Sequence, residues 1–157
     1  MPKYETWSAE RASAIIAANK HREGAVLPIM HALQHVFGCV PEAAIPMIAE
    51  ALNLSRAEVY GSRTFYHDFR TEPPGRRVLK LCRAESCQAV GGDALAVRAQ
   101  EKLGIAWGET TADARVTLEP VYCLGLCHSS PAAMLDEHPR GLLDKDRLDA
   151  LLKEAQA

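Results

Sequence analysis

Four of the five cysteines in this 157-residue chain fall into two short clips, Cys82-x4-Cys87 and Cys123-x3-Cys127. Thiolates are soft ligands. Two dithiol clips gathered by a fold surround a small volume with four of them, the donor set of an iron-sulfur cluster or a structural zinc. Structural zinc favours C-x2-C knuckles, and neither clip has that spacing. Thiol-disulfide catalysis favours C-x-x-C, which is also absent. Reading the cysteines as small buried hydrophobes leaves their pairing unexplained. Cys39 differs: it stands alone after Gly38 and reads as a structural thiol.

The clips must be positioned by the elements around them. Val78-Leu79-Lys80-Leu81 reads as a strand whose end delivers Cys82, and a second strand, Val116-Thr117-Leu118, leads through Glu119-Pro120-Val121-Tyr122 to Cys123. Loops at the ends of neighbouring strands of one sheet lie close together. Clips placed there supply two thiolates each to a rhombic two-iron core, which favours [2Fe-2S]. Four and three intervening residues let each loop wrap a metal while backbone N–H groups point at the sulfurs, stabilising the more negative reduced state. Gly125 allows close backbone approach in the second clip.

Between the strands a helix is expected from about Asp93 to Leu103, stopped by Gly104. Ala132-Ala133-Met134-Leu135 and Gly141-Leu142-Leu143 read as a closing hairpin, and Asp144 caps a last helix holding Leu148, Leu151 and Leu152. The expected order of this half is β-α-β-β-β-α.

Residues 1–70 read as four small helices in a bundle. Ser8 caps the first, which breaks near Arg22-Glu23-Gly24; the second has Pro28 near its start, ends at Gly38, and carries Ile29, Met30, Leu33, Val36 and Phe37 on one face. Ile45, Ile48, Ala49 and Leu52 repeat the helical period, with Pro46 in a first turn and Asn53 at the exit. Ser55-Arg56-Ala57-Glu58 is a capping-box pattern opening a short helix through Val59 and Tyr60. Two of Phe65, Tyr66 and Phe69 are expected in the core and one at a partner contact. Thr71-Glu72-Pro73-Pro74-Gly75 cannot continue a helix, so the expected organisation is a helical domain over 1–70, a linker over 71–75 and a second domain over 76–157.

Composition narrows the function. Hydrophobic residues at 48% and charged residues at 24% are ordinary for a globular protein. Lys and Arg number 18 against 20 Asp and Glu, a formal charge of -2, and no basic stripe is present to neutralise a phosphate backbone. Nucleic acid is not an expected partner. No apolar run approaches the ~18 to 20 residues that cross a bilayer, and the N-terminal residues do not read as a secretory signal. The expectation is a cytoplasmic protein without direct membrane insertion, where clustered cysteines mean metal or redox chemistry. Asn53-Leu54-Ser55 matches a glycosylation sequon that carries no meaning in that compartment.

Other motifs are weaker. His31 and His35 stand four apart on the second helix, but no third ligand or H-E-x-x-H pattern accompanies them, so they read as solvated or packed histidines. Neither G-x-G-x-x-G nor G-x-x-x-x-G-K-[ST] occurs, and Gly91-Gly92 reads as a turn or helix irregularity.

The clips, following an N-terminal helical segment, resemble the thioredoxin-like [2Fe-2S] ferredoxin family, which includes the small iron-sulfur subunit of respiratory complex I. The resemblance spans nearly the whole chain: Gly38 to Leu52, Val59 to Arg70, Cys82-x4-Cys87, and Leu118 to Cys127 followed by Ser130-Pro131-Ala132. It implies an α+β protein, an N-terminal helical bundle followed by a thioredoxin-like α/β domain whose small mixed sheet carries the cluster. It also implies that Cys82, Cys87, Cys123 and Cys127 ligate the iron. The resemblance also implies that His128-Ser129-Ser130, which varies among relatives, would be a place to tune the potential.

Within the family, Phe65-Tyr66-His67-Asp68-Phe69-Arg70 looks most like the gamma subunit of soluble NAD-dependent formate dehydrogenases. That likeness implies docking on a diaphorase subunit that binds FMN and NADH, with formate oxidised at a molybdenum or tungsten centre elsewhere. The chain would relay single electrons and carry no complete active site. Complex I and an NAD-linked hydrogenase are the alternative homes. A zinc-stabilised interaction module is the alternative from another class.

Overall fold

The computed structural model describes residues 4–157, so the sequence reading at Met1, Pro2 and Lys3 lies outside the described residues. The chain divides into two compact units, one ending at Pro73 and the other running from Pro74 to Ala157. The architecture is α+β: helices first, then a four-stranded mixed sheet with helices, the thioredoxin-like arrangement.

In the first unit each helix ends where a local signal ends it. The Ser8 hydroxyl accepts from the Arg11 N–H at 3.3 Å and opens α1 (Ala9–Asn19). α2 (Val26–Phe37) stops at Gly38, which takes φ +76°, and a Cβ there would meet the Tyr4 ring at 2.8 Å. α3 (Ala44–Leu52) leaves through left-handed Asn53. Ser55 and Glu58 form a reciprocal capping box at the start of α4 (Arg56–Phe65). The Ser55 backbone N–H, 2.9 Å from the Glu58 carboxyl, is the main cause holding that carboxyl below its ordinary pKa, and the Ser55 hydroxyl adds to it.

Ile29, Met30, Leu33 and Phe37 of α2 meet Ile48 and Val59 in a fully buried core, with the Trp7 ring 4.9 Å from that of Phe37. α4 runs further than the short helix expected through Tyr60. One turn after Val59 its inner face is occupied by buried Arg63, a position that apolar periodicity cannot see. The aromatic expectation is corrected too. Phe69 alone is buried, while Phe65 is 73% and Tyr66 44% exposed, because the helix ends between them and the chain reaches the core again only at Phe69.

In the second unit β1 (Arg77–Cys82) is flanked by β2 (Val116–Val121), parallel to it, and β3 (Ala133–Leu135), antiparallel; β4 (His138–Arg140) completes the order β2-β1-β3-β4. α5 (Glu85–Ala89) and α6 (Gly92–Leu103) lie between β1 and β2, and α7 (Lys145–Gln156) closes the chain. Leu79, Leu81, Leu118 and Leu135 share a core with Leu95, Ala99 and Leu103 of α6 and with Leu148, Leu151 and Leu152 of α7.

Two details depart from the expected order. α5 is an added turn of helix inside the first cysteine clip. The second hairpin strand falls on His138–Arg140 instead of Gly141–Leu143: Asp136 at φ +54° makes a tight turn that sets His138 opposite Leu135. Leu143 instead turns into the core ahead of α7, whose first turn is capped by Asp144 accepting from Arg147 N–H at 2.8 Å.

Candidate metal centre

Parallel pairing sets the site. Cys82, the last residue of β1, stands in register with Val121, the last of β2, so both chains leave the sheet at the same edge. Cys82 N–H donates to Ala132 O at 3.0 Å, and Arg83 N–H donates to Val121 O at 2.7 Å. The first clip is thereby stitched to both neighbouring segments. Cys87 follows in α5, where its N–H donates to Ala84 O at 3.0 Å. Both thiols of this clip are buried.

The second clip is built differently. Cys123 takes φ +141°, a conformation that costs a non-glycine residue about 1–3 kcal/mol and persists only where the surroundings impose it. Gly125, at φ +74°, folds the loop back so that its N–H donates to Cys123 Sγ at 3.3 Å. This is the N–H to sulfur contact expected from the spacing. Cys127 opens a 3-10 turn, Cys127–Ser129, and both thiols of this clip are exposed. Leu124 and Leu126 pack against the buried group of Cys82, Cys87 and Ala132, which brings the two clips together.

The thiols act on one another within each clip and between the clips. Burial is the largest cause raising the Cys87 thiol pKa, followed by its contact with Cys82. For Cys127 the largest cause is its contact with Cys123, and burial adds less. Among the described residues no three His, Cys, Asp or Glu side chains converge on a single-ion position. Two dithiol clips at one end of the sheet suit a core with two metal atoms, and the all-thiolate donor set is the one iron-sulfur clusters use. Binding a metal must displace the thiol protons. The Arg83 guanidinium pairs with Asp93 at 3.0 Å and lies 5.4 Å from the Trp107 ring. Its Nε is buried without a partner among the described residues, leaving a free donor in the first clip.

Cys39 belongs to the first unit and is buried there. His31 and His35 are exposed along a groove between α1 and α2, and the His31 ring lies 4.9 Å from that of Phe69. The sequence did not point to three features: the helical turn carrying Cys87, the strained backbone at Cys123, and a hydroxyl contact between Ser86 and Ser130 at 3.0 Å. The doubled glycine at 91–92 was the one signal for the first. Gly91 is left-handed at φ +92°, and Gly92 lies against the Cys87 carbonyl.

Comparisons with known proteins point the same way. The profile of the thioredoxin-like [2Fe-2S] ferredoxin family matches residues 12–156. The second NADH-quinone oxidoreductase E subunit of Rhizobium meliloti (strain 1021) is 38% identical over 148 residues, 94% of this chain and 88% of that protein. The NADH-quinone oxidoreductase E subunit of Escherichia coli (strain K12) is 34% identical over 153 residues, 96% of this chain and 92% of its own length. Among solved structures, an NAD+-reducing [NiFe]-hydrogenase in the H2-reduced state superposes with a TM-score of 0.66 at 28% identity. That match covers 92% of this chain but only 22% of the hydrogenase chain.

Proposed function

The chain belongs to the thioredoxin-like [2Fe-2S] ferredoxin family, and from that premise we propose that it is the [2Fe-2S] electron-transfer subunit of an NAD-linked oxidoreductase complex. The observation that carries the proposal is the delivery of both cysteine clips to one edge of the sheet by adjacent parallel strands, with Cys82 in register with Val121 and Cys123 two residues beyond it. Cys82 and Cys87 would hold one iron and Cys123 and Cys127 the other. A bound [2Fe-2S] cluster supplies one-electron redox chemistry.

The residues of this chain perform the rest. Buried Cys82 and Cys87 give one side a rigid, poorly hydrated wall, while exposed Cys123 and Cys127 put the other side near a docking partner. The Gly125 N–H donates to Cys123 Sγ, a contact that orients a ligating sulfur. Tyr122, 75% exposed beside Cys123, and exposed Phe65 and Tyr66 are anchors for partner subunits. Hydride and flavin chemistry belongs to such a partner, an FMN- and NADH-binding diaphorase subunit.

The named relatives weigh toward a complex of the NADH:quinone oxidoreductase or NAD+-reducing hydrogenase type. The formate dehydrogenase gamma subunit, with its molybdenum or tungsten partner, rests on Phe65–Arg70 alone and stands behind them. Among the described residues no helix is long and apolar enough to cross a membrane. A peripheral, cytoplasmic place is part of the proposal and rests on the likeness to those relatives.

Anaerobic purification tests the cofactor. Red-brown protein with two irons and two labile sulfides per chain, paramagnetic after dithionite, is the expected result. Colourless protein with stoichiometric zinc overturns it in favour of the interaction module. Co-purification from the native host identifies the complex: quinone-reducing or hydrogenase subunits support the leading assignment, and a molybdenum-containing formate subunit moves it to the formate dehydrogenase.

A further inference from the structure

The two clips are joined by a small hydroxyl network whose members are not cysteines. Ser86, inside the first clip, has its Oγ 3.0 Å from Ser130 Oγ, which follows the second. The Ser130 hydroxyl donates to the Cys127 carbonyl at 2.8 Å, and the Ser86 hydroxyl reaches the same oxygen at 3.3 Å. Each serine has one proton, and the arrangement that uses the shorter contact has Ser130 donating to Cys127 O while Ser86 donates into the Ser130 oxygen. The two ends of this network differ in burial. Ser86 is set in α5, whose residue Cys87 is buried against Gly92, whereas Cys127 lies in an exposed 3-10 turn.

We infer that Ser86 and Ser130 form a latch that positions Cys127, and so fixes the spacing of the second sulfur pair relative to the first. The inference rests on the proposed [2Fe-2S] function and adds two positioning residues to it. A two-iron core has a fixed size, so the exposed second pair must be held at a set distance from the first. The latch meets part of that requirement in advance, by holding the Cys127 carbonyl from the side of the buried clip. Ser86 is no ligand of the cluster and acts only through the Cys127 turn.

The test is a double-mutant cycle in the full chain, with Ser86→Ala, Ser130→Ala, the double variant, and Ser86→Thr to restore the hydroxyl. Each protein is loaded with iron and sulfide, reduced, and followed by electron paramagnetic resonance and by the rate of iron loss to a chelator. Ser86→Ala and Ser130→Ala should load two irons, show a broadened signal, and lose iron about five-fold faster, the scale of one hydrogen bond. The double variant should be no worse than either single one, and Ser86→Thr should return to the parent's values. Unchanged line shape and loss rate in both alanine variants, or fully additive losses, overturn the latch. Failure of the parent itself to load iron instead removes the cluster assignment, and the latch with it. Circular dichroism of the apo proteins checks that the variants fold: normal folding with faster loss supports the latch, and where one alanine variant unfolds, the loss rate of the other decides.

Discussion

A Cβ on Gly92 would stand 2.5 Å from the carbonyl oxygen of Cys87 and 2.9 Å from its carbonyl carbon. Those are backbone atoms, so no side-chain rotation relieves the clash. The start of α6 and the helical turn of the first clip are in contact because residue 92 lacks a side chain, and that contact helps bury Cys87.

Gly92→Ala separates this contact from helix propensity. Inside a helix, alanine is worth up to about 1 kcal/mol over glycine. Here the overpacking cost of about 1–3 kcal/mol should win, lowering stability and iron retention together. Gly61→Ala in α4 is the control: nothing lies within 4 Å of its Cβ, so it should be neutral or stabilising. Thermal unfolding of both variants decides, and a stabilised Gly92→Ala would show that the clip yields freely.

Substitution of single ligands should act all or none. Cys82→Ala and Cys123→Ala should each lose the visible spectrum and both irons, since alanine leaves the iron without a donor at that position. Iron content and the spectrum after anaerobic reconstitution are the measurements. Either variant retaining the parent's values would remove that cysteine from the ligand set.

How far the sequence alone reached follows from the range of each interaction. Ser8, Gly38, Asn53, Ser55, Gly104 and Asp144 act on their own helix ends, and all six end or begin helices as their chemistry requires. Strands ending at the clips were legible for the same reason, as short β-rich runs beside each first cysteine. The five residues of α5 are too few to show a period, and a charged residue, Arg63, hides the inner face of α4. The hairpin register turns on one residue, Asp136 in a left-handed conformation. The Ser86–Ser130 contact joins residues 44 apart, and no local pattern announces it. Cysteine spacing revealed the pairs; which serines hold them together required the fold.

Asp149 predicts a pH dependence. Arg98 holds its carboxylate with two hydrogen bonds at 2.8 and 2.7 Å, and Lys102 adds a third at 2.7 Å. These bonds, Arg98's first, keep the carboxyl well below its ordinary value of 3.8. A folded-state pKa below the unfolded one stabilises the fold at higher pH, and the gain disappears as the pH falls from the unfolded value toward the folded one. Asp149→Asn should therefore melt a few degrees below the parent at neutral pH, with the gap constant down to about pH 5 and closing as the pH drops below about 4. A gap of the same size at strongly acid pH would assign the effect to packing.

Cys39 should behave as a bystander. Burial, and secondarily the charge of Glu72, raise its thiol pKa, so little thiolate forms near neutral pH. In the apo protein N-ethylmaleimide should label exposed Cys123 and Cys127 well before Cys39, and mass spectrometry of timed digests gives the order. Cys39→Ala should still load two irons. Rapid labelling of Cys39 in the native protein would mean that this part of the first unit opens readily.

Arg63 and Glu42 form an ion pair at 2.8 Å whose two ends have very different surroundings. The Arg63 side chain is 6% exposed and also donates to the Val40 carbonyl at 3.2 Å, whereas Glu42 is 75% exposed. Removing the arginine strips Val40 O of a charged donor and empties an inner position of α4 beside Val59. Removing the carboxylate leaves a guanidinium that still has its backbone partner. Loss of a hydrogen bond from a charged group costs about 1.5–3 kcal/mol, against about 0–1 kcal/mol for an exposed ion pair. Arg63→Ala should therefore lower the urea midpoint clearly while Glu42→Gln barely moves it. Equal losses would mean that the ion pair, and not the bond to Val40, is what Arg63 contributes to the first unit.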